Sequence, residues 1–351
     1  MKFEYIDIAG FRGIKKARID DLKQVNLFFG KNNCGKSSVL DAIFLISGLS
    51  NPKLPFNINI LRDYRQLGKK DIALDFYNLD TSTPIKIIAE NGEKRELIIK
   101  VLEREEVEVN LLGSSNNLSS TQPDSKYGLV LDYEVDGKTY SSNIIFTTQS
   151  SVETRQEIHI DKEYEEKLSC RYLNSKFDFY ASIDGLVNIL KNKDEQFLID
   201  ALCYIEPNLK NFVLSENEVL VDIGLDQRIP INMMGDGARK MLAILTSIHE
   251  CENGIVLFDE ISNGFHYSVM KNMWKAILQA AITNNVQVFA TTHDIDSIKG
   301  LRDAIAEFKN PWYQNAAASY KLQKMPDGIL KAYHYSFESL DYSINQEIEV
   351  R

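Results

Sequence analysis

Gly30-Lys31-Asn32-Asn33-Cys34-Gly35-Lys36-Ser37 lies between an apolar run, Val25 to Phe29, and a helical pattern, Lys36 to Ser47, in which Val39, Leu40, Ile43, Phe44 and Ile46 share a stripe. A strand, then GxxxxGK[ST], then an amphipathic helix stopped by Gly48 is the context in which this spacing cradles a triphosphate. The glycines let the loop wrap with its N–H groups inward, and the helix N-terminus adds the positive end of its dipole. Lys36 is expected at the β- and γ-phosphates, and Ser37 as a ligand of Mg²⁺. Gly30, Lys31, Asn32, Asn33, Cys34, Gly35, Lys36, Ser37 and Ser38 form the expected ATP-binding stretch. A glycine-rich turn with an exposed lysine is the competing reading, and the flanking strand and helix speak against it.

Three further segments answer to this loop. Ile255-Val256-Leu257-Phe258 reads as a buried strand that delivers Asp259 and Glu260 at its C-terminal end. In a P-loop protein this is the Walker B position, where Asp259 holds Mg²⁺ and Glu260 is the catalytic residue that deprotonates the attacking water. The run Val286 to Thr291 leads through Thr292 into His293, which a neighbouring parallel strand would set beside the γ-phosphate as a second catalytic group. A lone histidine is more often structural, but its place one β/α unit beyond Asp259 and Glu260 favours the sensor. Met233-Met234-Gly235-Asp236-Gly237-Ala238-Arg239-Lys240 opens a helix expected from Ala238 to His249. Its glycine-rich N-terminus suits an anion, and one chain cannot easily bring it to its own P-loop. It either serves a second protomer's nucleotide or is an ordinary turn.

The rest of the chain sets bounds. With 351 residues and 44% hydrophobic content it can bury a large core without disulfides. Cys34, Cys170, Cys203 and Cys251 contain no CxxC pair, so a reducing compartment fits best. The polar opening and the lack of a long apolar run predict a cytoplasmic protein that neither carries a signal peptide nor crosses a membrane. A net charge of −10 opposes strong nonspecific attraction to nucleic acid. The clusters Lys15, Lys16, Arg18 and Arg62, Arg65, Lys69, Lys70 are either solvated surface charge or a local patch that touches DNA weakly.

Along the chain, Phe3 to Ile8 reads as a further strand near the start. Period-two alternation from Lys86 to Thr148, including Glu106 to Leu111 and Val130 to Val135 with its Asp136-Gly137 turn, predicts antiparallel β structure. Gly113 to Lys126 is expected to be an exposed loop, and Glu163 to Leu209 to be mostly helical. Helix from Tyr267 to Ile282, between the strands at Ile255 and Val286, gives the β/α succession of a mostly parallel sheet. The expected fold is α/β, a P-loop NTPase with an antiparallel β region and a helical lobe. As one domain it divides into a P-loop core (1–85), the β region (86–160), a lobe ending in the Gly-Asp-Gly segment (161–250), and the Asp-Glu and histidine part with its tail (251–351).

This order of motifs resembles an ABC-type ATPase head of the SMC/RecF/OLD group. Several stretches are similar to OLD-like ATPases without coiled coils, often described simply as AAA-family ATPases: Gly10 to Ile14, Asp41 to Ile43, Leu54 to Ile58 with Arg62 and Asp63, Ser262 to His266, and Tyr333 to Arg351. The resemblance implies that Arg12 joins the ATP-binding set and that His293 is the switch histidine. It implies too that Gly235, Asp236, Gly237 and Arg239 form a trans signature, and that Asn263, Gly264 and His266 cross a dimer interface. Two departures stand out. Gly235 occupies the place of the signature serine, and the only candidate for the Q-loop glutamine between Arg62 and Leu79 is Gln66. A homodimer or higher oligomer closed by Mg-ATP is expected. The stretch after His293 is too short for the Toprim domain of OLD-type nucleases, so a separately encoded effector, a nuclease above all, is the expected partner. This is similar to the ATPase subunit of PARIS-like antiphage systems, with a RecF-like repair ATPase as the alternative.

Overall fold

In the computed structural model of the chain, the structure describes residues 2–62, 64, 69–90, 92–105, 125–149, 153–174, 182–215, 218–308 and 310–346. The chain opens with β1 (Tyr5–Phe11), β2 (Ile14–Ile19), β3 (Val25–Phe29), α1 (Lys36–Ser47), α2 (Leu54–Ile60) and the short α3 (Lys69–Ile72). Next come β4 (Ile85–Glu90), β5 (Lys94–Glu105), β6 (Ser125–Val135), β7 (Lys138–Gln149), β8 (Glu153–His159) and β9 (Cys170–Leu173). Helices α4 (Ile183–Asn192) and α5 (Gln196–Leu202) precede β10 (Asn211–Leu214), β11 (Val219–Asp222) and β12 (Ile229–Pro230). The last part runs α6 (Asp236–Glu250), β13 (Ile255–Phe258), α7 (Met270–Thr283), β14 (Gln287–Thr292), α8 (Ile295–Glu307), α9 (Pro311–Ala316), β15 (Ala317–Lys324), β16 (Ile329–Tyr335) and α10 (Phe337–Asn345).

Among the described residues, thirteen strands make one sheet in the order β8-β7-β6-β5-β4-β1-β2-β16-β15-β3-β14-β13-β9. The block β15-β3-β14-β13-β9 is wholly parallel. Every residue of β3, β13 and β14 is buried, as strands covered on both faces must be. On one face Leu27, Phe29, Val256, Phe258 and Val288 pack with Leu242, Leu245, Trp274 and Leu301 of α6, α7 and α8. On the other, Phe28, Leu257 and Phe289 pack with Val39, Leu40 and Ile43 of α1. The alternation follows from the period-two geometry of a strand.

The antiparallel part continues this same sheet. Leu97, Ile99, Leu129, Leu131, Ile144 and Phe146 are buried along β5, β6 and β7. The β6–β7 hairpin turns at Asp136 and Gly137, both at positive φ (51° and 75°), as a two-residue type I′ turn requires. The small sheet β10-β11-β12 leads into α6.

The helical expectation from Glu163 is corrected. Among the described residues from Glu163 on, α-helix begins at Ile183, and Cys170–Leu173 is a strand paired in parallel with β13. Four residues carry too little periodicity to declare themselves, and their partner lies far along the chain. β2 was also unread, because the exposed Lys15, Lys16 and Arg18 hide its buried Ala17 and Ile19. Helix α7 starts at Met270, after a 3₁₀ turn over Tyr267–Val269. Glu106 to Leu111, Gly113 to Asp124, Asp63, Arg65, Gln66 and residues 347–351 lie outside the described residues. No helix among the described residues is long and apolar enough to cross a membrane.

Candidate nucleotide site

Strands β3, β14 and β13 lie side by side and parallel, so their C-terminal ends deliver the loop, the Thr-Thr-His segment and Asp259-Glu260 to one edge of the sheet. The loop's shape depends on its glycines. Gly30 has φ 148°, and a Cβ there would stand 2.5 Å from the carbonyl oxygen of Leu322 in β15. Gly35, at φ 106°, opens α1 in a conformation that side-chain-bearing residues rarely adopt. Gly30→Ala is therefore expected to lower Tm by several degrees and to weaken ATP binding at least about tenfold, since strain and a backbone clash of this kind cost about 1–3 kcal/mol. Thermal melts and titration with a fluorescent ATP analogue check both.

Lys36 is buried beneath the loop, where its Nζ donates to the carbonyls of Gly30 (3.0 Å) and Lys31 (3.3 Å). It stands 4.0 Å from Glu260 Oε1. Ser37 Oγ donates to Asp259 Oδ1 at 3.0 Å. Lys31, Asn32 and Asn33 are exposed at the tip, Cys34 is buried and Ser38 is half-buried at the start of α1.

At the ends of β13 and β14 one hydroxyl organises two acidic residues. Thr291 Oγ1 donates to Asp259 Oδ1 (2.6 Å) and accepts from the Glu260 amide (2.8 Å). Glu260 sits at φ 53°, and its Oε2 lies 2.6 Å from His293 Nδ1. The sequence thus placed Lys36, Ser37, Asp259, Glu260 and His293 in one cluster. It missed Thr291, whose signal was the polar pair Thr291-Thr292 at the end of an apolar strand.

Arg12 departs from expectation. Its Nε donates to Asp75 Oδ1 at 3.0 Å, its Nη2 to Asn59 Oδ1 at 2.7 Å, and its Nη1 pairs with Asp41. Its donors are thus engaged by Asp75, Asn59 and Asp41, the last a buried residue of α1 itself. Arg62, read as part of a basic cluster and of a stretch similar to OLD-like ATPases, pairs with Asp41 as well. Burial pushes the carboxyls of Asp41 and Asp75 up, that of Asp75 to about 6, against the pull of Arg12. Asn174 immediately follows β9. The Asp259 amide donates to Leu173 O at 3.0 Å, and Asn174 Nδ2 donates to Leu61 O at 2.7 Å.

The remaining candidates gather elsewhere. Gly235 precedes α6, Asp236 projects into solvent and Arg239 folds back to pair with it. A Cβ on Gly237 would lie 3.5 Å from the Gly264 carbonyl oxygen, so the Gly-Asp-Gly turn rests on the 263–266 loop of its own chain. Gly235, Asp236, Asn263, Gly264 and His266 are all exposed on this surface, with His266 Nδ1 2.8 Å from the Ser268 hydroxyl.

Comparison with known proteins agrees with this geometry. Residues 25–298 match the family described as "AAA domain, putative AbiEii toxin, Type IV TA system". The chain is 25% identical to a Helicobacter pylori protein named ATP/GTP phosphatase, over 97% of this chain and 98% of that one. A local likeness to the DNA replication and repair protein RecF of Geotalea uraniireducens is 32% identical over 62 residues, 18% of this chain and 17% of that one. An SMC head solved with the C-winged helix domain of ScpA aligns with 97% of this chain and 100% of its own at a TM-score of 0.53 and 13% identity, a likeness of fold. With an SMC-head fold and a family match over most of its length, the chain is an AAA-family P-loop ATPase and belongs to that AbiEii-like family.

Proposed function

We propose that the chain hydrolyses ATP at a site that a second copy completes, and that closing and opening of this dimer controls a separately encoded effector in antiphage defence. The observation that carries the hydrolytic part is Glu260, whose carboxylate meets His293 at 2.6 Å and Lys36 at 4.0 Å beside the Ser37–Asp259 pair. On binding, Lys36 exchanges the carbonyls of Gly30 and Lys31 for phosphate oxygens. Glu260 accepts the proton of the attacking water as its oxygen bonds to the γ-phosphorus and the bond to the β,γ-bridging oxygen breaks, leaving ADP and phosphate. His293 orients Glu260. A hydroxyl and a carboxylate within 3.0 Å are hard oxygen donors that fit Mg²⁺, so Ser37 and Asp259 would hold the ion, which when bound neutralises phosphate charge.

The dimer reading is supported by the exposed surface that Gly235 to Gly237 share with Asn263 to His266, where the N-terminus of α6 is open to an anion. A triphosphate bound there and in the partner's P-loop joins two chains, and hydrolysis parts them. The effector reading, an OLD-like ATPase of the PARIS-like kind, draws on the motif order and on the toxin named in the family's description. The short likeness to RecF favours a second reading, a DNA-repair clamp, against which stands the net charge of −10.

Binding to duplex and junction DNA, with and without ATP near physiological salt, separates them. Weak, salt-sensitive binding is expected, with nuclease or toxic activity only on co-expression with an effector encoded beside it. Tight ATP-dependent DNA binding by the protein alone would replace the effector reading with the RecF-like one.

A further inference from the structure

A lysine on the first turns of an amphipathic helix usually extends into solvent. Lys240 of α6 does not. Its Nζ donates to the backbone carbonyls of Asn263 (2.6 Å) and Glu260 (3.2 Å) and lies 5.6 Å from the centre of the Phe265 ring. Burial pushes this ammonium down to about 8, against the pull of Glu260, so the contact opposes the lysine's own hydration.

What Lys240 holds is the backbone of Glu260. That residue sits in the left-handed region, at φ 53°, which a glutamate adopts only when its surroundings impose it. The Glu260 amide is fixed by Thr291 Oγ1, and its carbonyl by Lys240. Both ends of the strained residue are thereby tied, which aims the carboxylate at His293. The same amine grips Asn263, first of the exposed loop residues beside Gly235 to Gly237.

We infer that Lys240 is a positioning residue for ATP hydrolysis, tying the first turns of α6 and the 263–266 loop to the backbone of Glu260. It acts through Glu260 and touches no phosphate. A nucleotide from a second copy resting on Gly235 to Gly237 would thus bear on this chain's own glutamate through one side chain. The inference rests on the reading of Glu260 as the general base.

The test uses the full chain with Lys240→Met, which fills similar space without a donor, Lys240→Arg, which restores one, and Glu260→Gln as control. For Lys240→Met, kcat is expected to fall about 10- to 100-fold, the range that small misplacements of a catalytic group produce. KM, ATP-analogue affinity and Tm should stay near wild type, and Lys240→Arg should recover a substantial part of kcat. Wild-type kcat in Lys240→Met overturns the inference. So does a fall in kcat matched by losses of affinity and Tm, which marks an ordinary structural lysine. If Glu260→Gln itself keeps wild-type kcat, it is the assignment of the base that fails, and that outcome is distinct.

Discussion

Lys36→Ala is expected to bind no ATP at micromolar concentration while keeping its fold. The ammonium already lies buried under the loop against two carbonyls, 3.0 and 3.3 Å away, poised to exchange them for phosphate oxygens. Each charge-assisted hydrogen bond lost contributes about 1.5–3 kcal/mol. Losing two such bonds weakens binding about 10²- to 10⁴-fold. The unliganded protein gives up little, because alanine removes a buried charge held by two neutral carbonyls and, at 4.0 Å, by the long ion pair with Glu260. Titration with a fluorescent ATP analogue, alongside a thermal melt, reads both quantities. Wild-type affinity in this variant would remove the loop from nucleotide recognition altogether.

Glu260→Gln should bind Mg-ATP as wild type does and hydrolyse it about 10²- to 10⁴-fold more slowly, the contribution a general base makes. Glutamine keeps the size of the side chain and a hydrogen bond to His293, so the arrangement at the strand end persists while the proton acceptor is lost. Single-turnover hydrolysis measures the step without interference from product release. A variant that cleaves ATP at the wild-type rate would transfer the role to another group, for which His293, 2.6 Å away, is the nearest candidate.

The parts of this site legible in the sequence were those written in contiguous residues. Gly30 to Ser37 specify the loop because glycine conformations, the lysine and the hydroxyl must occur at fixed spacing, and α1 spans Lys36–Ser47, the expected helix. Asp259 and Glu260 follow a strand in which every residue is buried, and an all-apolar run of four residues announces that burial locally. What escaped depends on contacts between distant segments. The Leu173 carbonyl comes to the Asp259 amide only through the parallel pairing of β9 with β13, and Arg12 turns to Asp41 and Asp75 because two buried carboxylates need a cation. Lys240 could not be told from any surface lysine until the carbonyls it faces were in place. Composition and periodicity also gave no sign that the antiparallel strands would extend the parallel block as one sheet.

Whether two copies close face to face on ATP can be read from the mass of the Glu260→Gln protein in solution. Light scattering coupled to size exclusion, run with Mg-ATP, Mg-ADP and no nucleotide, should show the dimer only with Mg-ATP, and Asp236→Arg on the turn that opens α6 should abolish it without loss of ATP binding. A protein of the same mass in all three conditions, with ATP shown to be bound, would contradict it.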